Sequence, residues 1–288
     1  YYTKRNDLSY VVNYLEKDTN KVVHEQKVVT GRTFDEVITA NNEVIAIDGY
    51  NYDSVNKATL KITTGENVIN VYYTKREDLE YRINYLEKDT KVATNVVFET
   101  EIKAANEVVA IDGYNYDSCS KESITVETNI SENIITLYYT KRSDLSYKVN
   151  YLEVDTNDVL HEQKVANDQV FGTKVTASEE IIDIDGYEFD SVDKTTITVG
   201  TGENVINIYY VKKNNLSYTL NFLEKNTNKV LAEPKITRNQ TFGVIVSSNG
   251  KAIEIEGYNY DSVDKRTLTI GTGVNEFNFY YTKRNDLS

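Results

Sequence analysis

The sequence is poor in several residue types, and each shortage excludes a class of protein or structure. Cys119 is the only cysteine, so no disulfide can form within the chain. One proline, no methionine and no tryptophan stand beside 24 tyrosines in 288 residues, a composition that favours strands over helices. No apolar run approaches the ~20 residues that a membrane-spanning helix needs.

Positive charge is also scarce. Lysine and arginine number 32 against 45 aspartates and glutamates, which gives a formal net charge of -13. Basic residues occur at most in adjacent pairs, so nucleic acid and anionic lipid are poor partners. The same net charge opposes self-association, and we expect a monomer.

A nine-residue phrase divides what is there into repeats. YYTKRNDLS begins the sequence at Tyr1 and ends it at Ser288, and close variants start at Tyr72, Tyr138 and Tyr209. Tyrosine pairs therefore start at 1, 72, 138, 209 and 280, in steps of 71, 66, 71 and 71 residues. A period near seventy suits a small domain with its own core. Because both ends fall inside the phrase, we expect a fragment of a longer array.

These steps predict four domains with short linkers. About seven residues, such as Thr74 to Glu80, separate successive domains; they include neither glycine nor proline and carry a leucine that we expect to be buried. The predicted boundaries are residues 1–8 for the end of a preceding repeat and its linker, 9–79 for repeat 1, 80–145 for the shorter repeat 2, 146–216 for repeat 3, and 217–288 for repeat 4 with a trailing linker.

The first segment of each repeat alternates between apolar and variable positions. It reads YVVNYLE, YRINYLE, YKVNYLE and YTLNFLE, and its second position changes from Val11 to Arg82, Lys148 and Thr219. Period-two alternation predicts a half-buried strand, and the polar loop that follows predicts a hairpin. The predicted inward residues are Tyr10, Val12, Tyr14, Tyr81, Ile83, Tyr85, Tyr147, Val149, Tyr151, Tyr218, Leu220 and Phe222.

The rest of each repeat predicts three more strands. IAIDGYNYDS and its three counterparts indicate a strand that bends or bulges at the glycine. A short apolar run follows, and then a last strand such as VINVYY, with Tyr73 inward and Tyr72 outward. Five strands with little helix predict a mainly β chain (α+β at most) of four tandem β-grasp (ubiquitin-like) domains in an elongated array. Small immunoglobulin-like sandwiches are the alternative.

Chemistry-bearing residues do not recur as a catalytic set. His24 and His161 occupy equivalent positions, but Ala232 replaces them in the last repeat. The sequence has no pairing of a nucleophile with a base, no phosphate-binding loop and no cluster of cysteine and histidine. We therefore expect no enzyme and no cofactor.

Two weaker kinds of site remain. Acidic residues recur around the Gly-Tyr step, and oxygen ligands suit calcium, although aspartate at a turn commonly bonds its own backbone. The calcium candidates are Asp48, Asp53, Asp112, Asp117, Asp185, Asp190 and Asp261. Outward tyrosines are expected either to stack on sugar rings or to pack at the joint between repeats; these are Tyr72, Tyr138, Tyr209 and Tyr280.

The order of a VxYLE hairpin, an IDGY segment and a final VINVYY strand resembles the MucBP-type (mucin-binding-protein) repeats of Gram-positive surface adhesins. The resemblance covers all four repeats. It implies ubiquitin-like β-grasp domains in an extracellular, cell-wall-anchored protein, and the family name implies binding to mucin or glycans. The hairpin here reads EKDTNK, without the Asp-Gly turn that is common in the family.

Two functions follow as hypotheses. The short linkers favour a semi-rigid stalk that projects a binding domain located elsewhere in the parent protein, with neighbouring repeats as its partners. Compact domains of this size have diameters of ~25–30 Å, which makes an array of four at least ~100 Å long. The alternative is a multivalent module in which each repeat binds host mucin or glycan weakly and tandem copies add avidity.

Overall fold

The computed structural model of the protein describes residues 1–284. The chain forms two compact units that meet in sequence between Lys141 and Arg142. Each unit contains two of the repeats, and within the described residues each repeat has six strands. No helix in this part of the chain has the length and apolar character needed to cross a membrane.

The first unit contains strands β1 to β12. Its first repeat consists of β1 (Leu8–Glu16), β2 (Val22–Arg32), β3 (Val37–Thr39), β4 (Tyr50–Val55), β5 (Thr59–Lys61) and β6 (Val68–Lys75). Its second repeat consists of β7 (Leu79–Tyr85), β8 (Lys88–Val96), β9 (Glu101–Lys103), β10 (Tyr114–Cys119), β11 (Ser123–Thr125) and β12 (Ile134–Lys141). Short 3₁₀ helices follow β3 and β9, at Ala40–Glu43 and Ala104–Asn106.

The second unit contains strands β13 to β24. Its first repeat, the third of the chain, consists of β13 (Leu145–Glu153), β14 (Val159–Gln169), β15 (Lys174–Thr176), β16 (Tyr187–Val192), β17 (Thr196–Thr198) and β18 (Val205–Lys212). The fourth repeat consists of β19 (Leu216–Glu224), β20 (Val230–Gln240), β21 (Ile245–Ser247), β22 (Tyr258–Val263), β23 (Thr267–Thr269) and β24 (Glu276–Lys283). A 3₁₀ helix follows β15 at Ala177–Glu179.

Every repeat contains a four-stranded mixed sheet and a small two-stranded sheet. In the first repeat the large sheet has the order β2-β1-β6-β4, and β3 pairs with β5. The first and last strands, β1 and β6, run parallel at its centre, while β2 and β4 flank them antiparallel. The other three sheets repeat this order as β8-β7-β12-β10, β14-β13-β18-β16 and β20-β19-β24-β22.

One face of each large sheet carries the core. The inward residues predicted for the first strand of each repeat are buried in all four repeats, and Val12 is 0% exposed. Ile69, Val71 and Tyr73 on β6 are 0–1% exposed, while Tyr72 on the opposite face is half-buried. The predicted alternation of both central strands is therefore confirmed.

The sixth strand of each repeat was not predicted. In each repeat it lies in the connection after the hairpin, and in the first three repeats a 3₁₀ helix follows it. Val37–Thr39 pairs with Thr59–Lys61, so the short run that includes Leu60 has a partner of its own. Ile38 alternates with two exposed neighbours, but three residues are too few to give a recognisable period.

The segment around the Gly-Tyr step also differs from the prediction. Residues 44–47 are irregular, Asp48 and Gly49 form a turn, and the strand begins only at Tyr50. Its bulge lies between Tyr52 and Ser54 rather than at the glycine. Within the strand Tyr50 is half-buried, whereas Tyr52 is 43% exposed.

A buried tyrosine replaces the strand pairing that residues 44–47 lack. The Ile45 N–H donates to the Tyr73 hydroxyl at 3.2 Å, and that hydroxyl donates to the Ile45 carbonyl at 2.8 Å. The same pair of hydrogen bonds joins Tyr139 to Val109, Tyr210 to Ile182 and Tyr281 to Ile253. A buried backbone amide needs such partners because an unpaired one is costly.

Candidate functional site

The candidate site is the joint between two repeats, and its first part is the glycine turn. Gly49 has φ of +78°, a left-handed conformation that glycine adopts at little cost. The Tyr50 N–H donates to the Ile47 carbonyl at 3.1 Å and closes the turn. The turn places the Gly49 carbonyl and Tyr50 ring against the following repeat.

A single linker residue bonds to both repeats. The Arg76 N–H donates to the Gly49 carbonyl at 2.9 Å, and the Arg76 carbonyl accepts from the Phe98 N–H at 2.9 Å. The Arg76 guanidinium also makes a two-pronged bond to Asp78, with both distances 2.9 Å. This bond lowers the pKa of Asp78 and holds the linker residue in one orientation.

Phe98 packs directly on the glycine turn. Its ring is so close to Gly49 that a Cβ atom at that position would lie 2.4 Å from the ring carbons. The Tyr50 ring meets the Phe98 ring edge to face, with centroids 5.5 Å apart. Tyr50 also packs against the core cluster of the second repeat, to which Leu79 belongs. Position 49 therefore needs glycine for two reasons: its positive φ and its close contact with the Phe98 ring.

Polar contacts surround this aromatic centre. The Thr128 hydroxyl of the second repeat donates to Asp48 of the first at 2.7 Å. Glu99, next to Phe98, pairs with Lys75 at 2.9 Å and with Lys21 at 3.4 Å, both from the first repeat. The hydrogen bond from Lys75 lowers the pKa of Glu99, and the same bond raises the pKa of Lys75.

The second unit builds its joint from equivalent residues. Gly186 has φ of +82°, and a Cβ there would lie 2.4 Å from the Phe242 ring. Lys213 takes the place of Arg76, donating to the Gly186 carbonyl at 2.9 Å and accepting from the Phe242 N–H at 2.8 Å. Tyr187 meets Phe242 with centroids 5.6 Å apart, and Thr272 donates to Asp185 at 2.7 Å.

The two joints differ in their charges. Gly243 stands where the first joint has Glu99, and Lys212 pairs with Glu153 of its own repeat at 2.9 Å. The aromatic and backbone contacts thus recur, whereas the lysine–glutamate pairs across the joint belong to the first unit.

The segment before the first repeat contacts it in the same way. The Phe34 N–H donates to the Arg5 carbonyl at 2.8 Å, as Phe98 does to Arg76. Asp35 pairs with Lys61 at 2.8 Å and with Lys4 at 3.5 Å. The YYTKR segments that start at Tyr1 and Tyr72 therefore each contact the repeat that follows them.

The predicted calcium ligands have partners within the protein. Asp48 and Asp185 bond the threonines of the joints, and Asp112 precedes Gly113 at the equivalent turn. The aspartates before each serine accept from that serine, and two of them pair with lysine; these are Asp53, Asp117, Asp190 and Asp261. Among residues 1–284 no group of three histidine, cysteine, aspartate or glutamate side chains could hold a metal ion.

The four outward tyrosines lie on the outer faces of the large sheets. Tyr72, Tyr209 and Tyr280 are half-buried, and Tyr138 is 38% exposed. The aromatic contacts described across the joints come from other tyrosines, Tyr50 and Tyr187. Ligand contact by the outward tyrosines stays a prediction.

Sequence reasoning missed the phenylalanines of the joint. Each repeat has one in the connection after the hairpin, and the residue after each has a positive φ. The signal was present, because an aromatic residue recurs there in all four copies while its surroundings change. The four residues are Phe34, Phe98, Phe171 and Phe242.

Comparison with known proteins finds solved structures that are similar to parts of this chain, among them the two that follow. No family model and no curated protein matches the chain. Domains 3-4 of the Streptococcal High Identity Repeats in Tandem (SHIRT) of a cell surface protein are 14% identical, covering 48% of this chain and 98% of theirs, with a TM-score of 0.20. Mub-RV is 12% identical, covering 49% of this chain and 99% of its own, with a TM-score of 0.18.

Proposed function

We propose that these repeats are a structural spacer of a bacterial surface adhesin, in which the joint inside each unit holds its two repeats in a fixed orientation. The observation that carries the proposal is the linker residue bonded on both sides: Arg76 to Gly49 and Phe98, and Lys213 to Gly186 and Phe242. A flexible tether would leave its backbone bonded to water, whereas these linkers are part of both repeats.

The contacts are strong enough to favour one orientation. A neutral hydrogen bond contributes about 1 kcal/mol net, and an edge-to-face ring pair about 0.5–1.5 kcal/mol. Two backbone bonds and the Phe98–Tyr50 pair therefore total about 3 kcal/mol, which favours the closed joint about a hundredfold. Burial of Phe98 on Gly49 adds to this preference.

We assign each repeat to the β-grasp class. The support is the large sheet, in which the first and last strands are parallel and central, and the second strand forms a hairpin with the first. An immunoglobulin-like sandwich instead has two antiparallel sheets, usually of seven strands over ~100 residues. The boundaries 9–79, 80–145, 146–216 and 217–288 remain our proposed division of the chain to within one residue, since the first strand of the next repeat begins at the leucine before each boundary, Leu8, Leu79, Leu145 and Leu216.

The resemblance of the repeats to MucBP-type repeats supports a proposal about the location of the protein. We propose an extracellular, cell-wall-anchored protein of a Gram-positive bacterium, of which this chain is one part. The spacer has no enzymatic activity, needs no cofactor and acts as a monomer. Its partners are neighbouring repeats of the same chain, and the binding domain that it projects lies elsewhere in the parent protein.

A second candidate function has its own support. One aromatic residue at the same position in every repeat is 41–50% exposed, and exposed aromatic rings are suited to stacking on sugars; the set is Tyr52, Tyr116, Phe189 and Tyr260. Repeated weak sites of this kind would make the chain a multivalent mucin- or glycan-binding module.

One pair of measurements separates the two functions. The intact chain is tested for binding to mucin and to a glycan array, and its scattering profile is recorded. A spacer gives an elongated profile with no binding, and Phe98→Ala with Phe242→Ala shortens the maximum dimension. Binding that falls stepwise as repeats are deleted would instead support the mucin- or glycan-binding module.

A further inference from the structure

The position of the two chain ends in each repeat determines how the repeat carries tension. In the first repeat the chain enters at Leu8, the start of β1, and leaves at Lys75, the end of β6. Because β1 and β6 are parallel neighbours, these ends lie at opposite ends of the strand pair. Tension therefore slides the two strands past each other.

Sliding loads the ladder differently from peeling. In peeling, hydrogen bonds break one after another, and each break needs little force. In sliding, all bonds of the parallel ladder share the load and must fail together, so resistance rises with the number of paired residues.

Three repeats have ladders of the same length. β1 and β6 pair over six residues, from Val11 with Val68 to Glu16 with Tyr73, and β13–β18 and β19–β24 do the same. One more backbone hydrogen bond extends each ladder at the carboxyl ends of its strands. The N–H groups of Lys17, Val154 and Lys225 donate to the carbonyls of Tyr73, Tyr210 and Tyr281, at 2.8–3.0 Å.

The second repeat has a shorter ladder. β7 and β12 pair over four residues, from Arg82 with Ile134 to Tyr85 with Leu137. The cause is the shortened hairpin: Leu86 and Glu87 form its turn, whereas Leu15 and Glu16 at the same position of the first repeat pair with β6.

Exposure of the neighbouring side chains agrees with this loss. Leu86 is 59% exposed, while Leu15 is half-buried. Tyr138 of the second repeat is exposed, whereas its counterpart Tyr72 in the first repeat is half-buried. The next residue is 7% exposed in the second repeat (Tyr139) and 1% exposed in the first (Tyr73). The other neighbour of the last strand is unchanged, because β10–β12 and β4–β6 both pair over five residues.

We propose that the repeats bear tension along the chain and that the second repeat is the one that opens first. This function goes beyond that of a spacer, since it depends on strand pairing inside each repeat and not on the joints. Opening of one repeat lengthens the chain while the other three keep their fold, which limits the force transmitted to whatever the chain connects.

The test is single-molecule pulling of the whole chain by its two ends. Residues 79–141 of the second repeat number 63, against 68 for residues 8–75 of the first. At ~3.6 Å per residue its unfolding step is shorter by ~18 Å. Cys119, the only cysteine, is half-buried in β10 of the second repeat, so a faster reaction with a thiol reagent after the first step than before it reports that this repeat has opened.

We expect the first step to be the short one, to be followed by labelling of Cys119, and to occur at least about tenfold faster than the later steps at equal force. First steps of the longer size with Cys119 unlabelled, or first steps spread equally over the four repeats, would overturn the proposal.

Two grafted variants provide matched controls. Replacing residues 86–97 by residues 15–33 gives the second repeat the hairpin of the first and should abolish its early opening. The reverse graft, residues 86–97 in place of 15–33, should make the first repeat open as early as the second. If neither graft changes the order of opening, ladder length does not set the strength. A graft that fails to fold leaves the order measured on the natural chain as the deciding result.

Discussion

Gly31 and Gly49 have the same backbone conformation but different surroundings. Their φ angles are +70° and +78°. A Cβ atom at Gly31 would have no heavy atom within 4 Å, whereas one at Gly49 would lie 2.4 Å from the Phe98 ring. The pair therefore separates the cost of a left-handed backbone from the cost of losing the joint.

Gly49→Ala is expected to move Phe98 off the turn and expose the bonds beneath it. Left-handed backbone costs alanine about 1–2 kcal/mol at either glycine, so Gly31→Ala is the control for that term. Hydrogen exchange at the Arg76 and Phe98 amides should accelerate in Gly49→Ala and stay unchanged in Gly31→Ala. Equal protection in the two variants would mean that the ring contact does not hold the linker.

Glu43 joins a lysine and a buried tyrosine in the first repeat. It accepts from Tyr10 at 2.8 Å and from Lys27 at 2.7 Å. Burial favours a higher pKa for Glu43, but these two bonds outweigh it and lower the pKa. Burial, followed by the bond to Glu43, raises the pKa of Tyr10 to about 12.

The stability of the first repeat is therefore expected to fall at both extremes of pH. Stabilisation by Glu43 is present above its unfolded pKa of about 4.3 and is lost as pH falls through the lower folded value. Stabilisation by protonated Tyr10 is complete below its unfolded pKa of about 10 and is lost as pH rises toward 12. Unfolding of Glu43→Gln at pH 3, 6 and 11 should be less pH-dependent than that of the natural chain; an identical profile would exclude this role.

At the scale of elements, the last strand holds the irregular segment that precedes the glycine turn. The Tyr73 hydroxyl bonds both the N–H and the carbonyl of Ile45. Tyr73→Phe keeps the ring but leaves two backbone groups unpaired, at a cost of about 1–3 kcal/mol. Denaturant unfolding should detect this loss, and Tyr72→Phe on the outer face should change stability by under about 0.5 kcal/mol. Equal effects of the two changes would contradict the assigned role.

The elements that sequence alone could predict are those with a clear period. Tyr10, Val12 and Tyr14 alternate over a long strand, and their burial is as predicted. Residues 44–47 have the same alternation, yet they form no strand because a tyrosine hydroxyl supplies their hydrogen bonds. Such a bond spans 28 residues, and no local pattern encodes it.

At the scale of the whole molecule, comparison of the four repeats predicted where the joints lie in the sequence, but it did not predict which side chains form them. The charged linker and Leu79 were visible in the sequence, and Leu79 is buried in the second repeat as expected. Phe98 was overlooked because its connection varies in length, and its partner Gly49 was read only as a bend. The contact between them became evident once the fold brought two distant turns together.

The most direct test of the joint is a distance distribution between spin labels on Ala58→Cys and Glu122→Cys, both exposed positions, in a Cys119→Ser background. We expect one narrow distribution for the intact joint and a broad one after Phe98→Ala, because loss of the ring frees the linker. A distribution as broad in the intact chain as in Phe98→Ala would contradict the proposal that the repeats are held in a fixed orientation.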